Sequence, residues 1–286
     1  MDWKGKRRSA NVEDRRGMSS GGKLALGGVG GIVVLIIGLL MGGDPQQLLQ
    51  QLQGTSLQQA EGPVEISTEE RELTEMVEVV FASTEDVWHD IFASIGRSYD
   101  PDTLVFYRGQ TPTGGCGMGA AAYGPFYCPA DQKVYIDLSF NDDLRQRFGA
   151  TGDFAMAYVV AHEVGHHIQN LLGTMGEVNS MRPKLSEREY NKLSVMLELQ
   201  ADFYAGVWAH HANRSSEVRL ELADILEGMK AAEAVGDDRI QQQAQGHVSP
   251  EAFTHGTSEQ RAYWFKKGYD TGDIRQGDTF NDPSLQ

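Results

Sequence analysis

The sequence predicts an α+β fold, mainly helical with a small antiparallel-containing β-sheet, preceded by one N-terminal transmembrane helix. Three observations predict it. Segments after Ser67 repeat apolar residues at helical spacing. Short apolar pieces within 103–140 are divided by Gly and Pro. Residues 24–43 carry no charge.

In chain order, the first element is a basic tail over 1–23, holding Lys4, Lys6, Arg7, Arg8, Arg15, Arg16 and Lys23. The uncharged run 24–43 has about the length of a bilayer-crossing helix, and its Gly27-x-x-x-Gly31 permits close helix–helix approach in lipid. Basic residues before it predict a cytoplasmic N-terminus and an extracytoplasmic remainder. A cleaved signal peptide is the competing reading, but the apolar core is long for one and no A-x-A-like site follows. A Gln-rich linker occupies 44–66, and the folded domain occupies 67–286. The net charge is −15, and the chain beyond its basic tail is more acidic than that total suggests, which argues against a nucleic-acid partner.

Within the domain, Leu73, Met76, Val77, Val80 and Phe81 predict one helix, and Ser83 or Thr84 is placed to cap a second. Residues 103–107 read as a strand. Two apolar pieces at 120–123 and 133–140 bracket Cys128 and suggest a small antiparallel sheet. The strand 134–138 is a candidate cleft edge able to pair with a substrate backbone. Gly152-Asp153 and Gly173 bound a helix that is apolar on most faces and therefore buried. Residues 173–185 read as a flap. Capping boxes at Ser186/Glu189 and Thr257/Gln260 open helices, the first reaching about His210, with another helix over about 217–234.

The buried helix carries His162-Glu163-Val164-Gly165-His166. Histidines four apart on a helix face one way, so both imidazoles can grip one ion, with Glu163 beside them as general base toward a water. Histidine and glutamate are costly guests in an apolar helix unless something compensates their desolvation, and a metal can. His167 points elsewhere and is read as structural or solvent-facing. His89, His210, His211 and His247 receive structural readings.

Zinc needs a third protein ligand, and no histidine follows at the spacing that would supply it. Glu198, mid-helix in an apolar stretch, is the candidate. Asp202 lies one turn on, placed to orient a ligand histidine. The two cysteines, Cys116 and Cys128, are expected to form a disulfide in an oxidising compartment.

His-Glu-x-x-His followed by Glu198-Leu199-Gln200-Ala201-Asp202 resembles the glutamate-zincin peptidases, and in motif the CaaX-processing and heat-shock-type metallopeptidases. Over nearly its whole length the chain resembles the bacterial neutral zinc metallopeptidase family. The resemblance implies a zincin-like domain, one Zn2+ ion held by His162, His166 and Glu198, and a bacterial inner-membrane location with a periplasmic catalytic domain. It further implies His255 as oxyanion donor and Arg261 as a supporting charge, although Gly256 stands where the related enzymes carry proline. Tyr204 and Tyr263 are alternative donors.

The function these features imply is a membrane-anchored zinc endopeptidase acting on peptide or protein substrates. The alternative is a catalytically idle, zinc-stabilised, membrane-tethered binding module.

Overall fold

A computed structural model describes residues 1–17, 66–150 and 152–285. The expected transmembrane helix, and the linker up to residue 65, lie outside the described residues. The remainder is mostly helical with two small sheets: β1 (Val12–Asp14), α1 (Thr68–Ser94), β2 (Thr103–Tyr107), β3 (Gln110–Pro112), β4 (Met118–Ala120), β5 (Phe126–Cys128), β6 (Lys133–Asp137), α2 (Phe140–Gln146), α3 (Asp153–Leu172), α4 (Thr174–Met181), α5 (Glu187–Ser215), α6 (Leu222–Ala234), α7 (Asp237–Gln245) and α8 (Ser258–Thr271).

Helix α3 is the centre. Phe154, Met156, Val160, Val164 and Ile168 are fully buried, with α1, α5 and α6 packed around it. Gly165 permits the close approach of α5, since a Cβ there would lie 2.8 Å from the Ala201 carbonyl oxygen. Gly206 and Gly268 do the same between α5 and α8, where added Cβ atoms would strike the facing backbone. The start of α3 takes no cap from its own Gly152. The Glu227 carboxylate of α6 accepts from the Ala155 N–H at 3.0 Å instead.

The main sheet runs β1-β2-β6-β5. Its β1–β2 and β2–β6 pairings are parallel and only β5–β6 is antiparallel, so the simple antiparallel sheet is corrected. Strand β6 is interior, not a cleft edge. The edge beside α3 is β5, held at Cys128 by the Cys116–Cys128 disulfide.

Several expected boundaries move. Residues 68–94 form one helix, because Thr84 Oγ1 donates to the Phe81 carbonyl and Ser83 Oγ pairs with Ser216 and Trp208, so neither hydroxyl breaks the helix. The piece at 120–123 is mostly a 3-10 turn after β4. The helix expected over 217–234 starts only at Leu222, since Arg219 bridges in extended form to Asp2. The expected flap contains α4, and α2 and α7 are helices that the sequence reading does not assign.

The largest correction is at the N-terminus. Residues 1–17 are no separate tail: Trp3 enters the main core and β1 completes the sheet, so the folded unit includes them.

Candidate active site

His162 and His166 lie one turn apart on α3 and face Glu198 of α5, which the close approach at Gly165 brings opposite them. His162 Nε2 lies 3.1 Å from Glu198 Oε2, and His166 Nε2 lies 3.4 Å from Oε1. All three ligand atoms fall within 4.8 Å of one another. Tetrahedral coordination at metal–ligand distances of about 2.0–2.2 Å sets ligand atoms about 3.3–3.5 Å apart, so the spacing fits a zinc ion.

The tautomers fit as well. His162 Nδ1 donates to Asp202 Oδ1 at 2.8 Å. Burial pushes the Asp202 carboxyl up, but Arg261 and His162 more than reverse this, so it stays ionised and can only accept. His166 Nδ1 donates to Gln169 Oε1 at 2.9 Å. The Gln169 amide is itself oriented, because its Nε2 donates to the Leu197 carbonyl and to Gln200 Oε1. With each Nδ1–H committed, each Nε2 is the atom that faces Glu198 and that would bind an ion held between them. Burial alone would lower the His162 imidazole, yet Asp202 and Glu198 raise it to about 10, a field that favours positive charge at this point. Burial also acts to raise Glu198, but His166 and His162 hold it well below the usual carboxylate range.

Asp202 anchors a wholly buried network. Arg261 of α8 donates to it through Nε at 2.8 Å and Nη2 at 2.9 Å, and the Tyr158 hydroxyl donates at 2.5 Å. Arg261 therefore neutralises the carboxylate that orients His162. Glu163 is buried next to the ligands, and burial raises its carboxyl toward neutrality.

His255 lies in the loop before α8. Gly256 in that loop packs against Val195 and Leu199, on the turn of α5 that carries Glu198. Partial desolvation pulls the imidazole down, but Asp237 and the charge of Glu198 leave it raised. Its side chain is 48% exposed, so a substrate can reach it. Asp237 holds it: Oδ1 lies 3.1 Å from His255 Nδ1, while Oδ2 accepts the backbone N–H groups of Thr254, His255 and Gly256. Gly256 adopts φ +91°, which proline cannot reach, and this accounts for the departure from the related motif.

Of the alternative donors, Tyr204 is buried in the aromatic core against Trp88 and Phe203, and Tyr263 is exposed on α8. His167 is structural. Its Nε2 donates to the Asp100 carbonyl, its Nδ1 accepts from the Tyr127 hydroxyl, and burial lowers it.

Sequence reading missed Gln169, Tyr158 and Asp237. The first two carry a signal, since Gln169 is three residues after His166 and Tyr158 four before His162, on the same helix faces. Asp237 carries none beyond that of a helix-start acid.

The family model described as "Putative neutral zinc metallopeptidase" matches residues 1–280. The chain belongs to this family. Uncharacterized protein YpfJ of Escherichia coli (strain K12) is 47% identical over 286 residues, spanning 98% of this chain and 99% of that protein. Uncharacterized protein Rv2575 of Mycobacterium tuberculosis (strain ATCC 25618 / H37Rv) is 42% identical over 212 residues, spanning 71% of this chain and 69% of that one. No solved structure matches the chain. The family implies zinc, and His162, His166 and Glu198 form the one cluster of this kind among the described residues.

Proposed function

We propose that this family member is a zinc-dependent endopeptidase of the glutamate-zincin type, with a zincin-like catalytic domain. The observation that carries the reading is the convergence of two imidazole Nε2 atoms and a carboxylate beside a buried, unligating Glu163. His162, His166 and Glu198 would hold the ion. When bound, zinc supplies Lewis acidity that activates water and polarises a carbonyl.

The protein's own groups do the rest. Glu163, raised by burial, takes a proton from the attacking water and returns one to the leaving amine. Asp202 and Gln169 keep the ligand tautomers, and Arg261 keeps Asp202 charged. His255, fixed at Nδ1 by Asp237, offers Nε2 to the developing oxyanion. The free edge of β5, beside α3, supports an extended peptide as substrate. The apolar run 24–43 supports attachment to a bacterial inner membrane.

The test is a Glu163→Gln variant of the full chain, assayed for bound metal and for cleavage of denatured casein. Zinc content equal to wild type with cleavage reduced about 10²–10⁴-fold is the expected result. Unchanged cleavage, or a wild-type protein that binds no zinc, overturns the reading.

A further inference from the structure

We propose that residues 1–17 and the catalytic domain lie on the same side of the membrane. The proposal concerns topology and does not depend on the peptidase reading.

Residues 1–17 are built into the domain along their whole length. The Met1 amine lies 2.7 Å from Asp224 Oδ1 of α6, and Asp2 exchanges both backbone hydrogen bonds with Arg219. Trp3 is 7% exposed and donates from Nε1 to Asp153, the first residue of α3. Strand β1 covers the outer edge of β2, with Leu104 N–H donating to the Asn11 carbonyl and Arg15 N–H to the Phe106 carbonyl. Arg16 is buried at the end of this run, paired with Asp14 and Glu70 and donating to Thr74 Oγ1.

Four of the basic residues that predict a cytoplasmic tail have counter-charges on α1: Lys4 pairs with Glu72 and Arg16 with Glu70. Arg7 pairs with Glu85 and Asp86, and Arg8 with Glu75 and Glu78, all on α1. Much of the positive charge of residues 1–17 is therefore explained by complementarity to an acidic helix, without appeal to retention in the cytoplasm.

A single crossing by 24–43 would put these contacts on opposite sides of about 30 Å of hydrocarbon. The β2 edge would be uncovered, Asp224 would lose the Met1 amine, and Glu70 would lose Arg16 and keep Arg108. One folded body containing both Gly17 and Ile66 requires an even number of crossings, zero included.

Two measurements on the full chain test this. Lys4→Cys and Lys266→Cys, both at exposed sites, are introduced separately into the protein, whose two native cysteines are paired. Intact spheroplasts are treated with a membrane-impermeant maleimide, with detergent-lysed samples as the full-labelling reference. The expected result is the same behaviour at both positions, both labelled or both protected. Labelling at one and protection at the other overturns the proposal. In a second variant, Arg8→Cys/Glu75→Cys, a short permeant bismaleimide applied to intact cells is expected to link the N-terminal segment to α1 in most of the chains. Linkage at the level of the matched pair Lys4→Cys/Lys266→Cys overturns it.

Discussion

Two charge-rich regions, the network around Asp202 at the middle of α3 and the amino-terminal segment 1–17, hold the fold in different ways. In the metal-site network, Asp202 and Arg261 are 0% and 4% exposed, and the polar atoms around them are hydrogen-bonded. In the amino-terminal segment, the Arg7–Asp86 pair is 45% and 37% exposed. Solvent-exposed pairs contribute little, whereas removing one partner of a buried pair leaves an uncompensated charge. The two regions teach that charge count is no guide to consequence. In the first, electrostatics decides both stability and the metal; in the second, the Trp3 side chain and the β1 hydrogen bonds do the anchoring, and most of the ion pairs select rather than stabilise.

The comparison can be broken first at Asp202. Asp202→Ala strands Arg261 and frees His162 to choose its tautomer. The expected loss is about 3–5 kcal/mol of stability together with a 10–100-fold fall in zinc affinity. Chemical denaturation and competitive zinc titration measure the two. Adding Arg261→Met should recover most of the stability and none of the affinity; recovery of both would show that the network is not what orients His162.

In the amino-terminal segment, Trp3→Ala should cost about 3 kcal/mol through lost core burial, with zinc affinity within about twofold of wild type. An equal effect on affinity would merge the two regions into one. Calorimetry alongside the same zinc titration separates these outcomes.

A third test, read as a slope with pH, sharpens the contrast with an acid that has no cationic partner. Asp102 is buried beneath Tyr99, and burial raises its carboxyl to about 8, with Oδ2 unpartnered. Its folded pKa lies above its unfolded value, so its stabilising preference for the proton is complete below about pH 4 and is lost as pH rises through about 8. The folded state should lose up to about 1.4 kcal/mol per pH unit across that window, and Asp102→Asn should flatten the slope. Denaturation midpoints at intervals from pH 4 to 8 check the sign; a rising wild-type slope with no change in the variant refutes it.

Legibility from the sequence followed range. His162, Glu163 and His166 are separated by less than a turn or two, so helical periodicity alone aligns them. Glu198 and Asp202 are one turn apart on a second helix, and their pairing with α3 was readable because few buried acids in apolar stretches were available to complete the ligand set. Gln169 and Tyr158 were readable in the same way, but Gln and Tyr carry structural roles far more often than orienting ones. His255 was reached through resemblance, but Asp237, which holds it, comes from a separate helix eighteen positions away in a run with no periodic link to it.

Sheet order and the place of the first seventeen residues were of another kind. Strand β1 has three residues and no alternation, and the basic side chains around it read as a free tail until the acids of α1 are set beside them. The donor set for a metal is written in local spacing, because side-chain direction repeats with the helix. Which strand borders the cleft, which carboxylate steadies His255 and on what body the amino terminus rests depend on contacts between segments far apart in the chain, and those exist only once the backbone is folded.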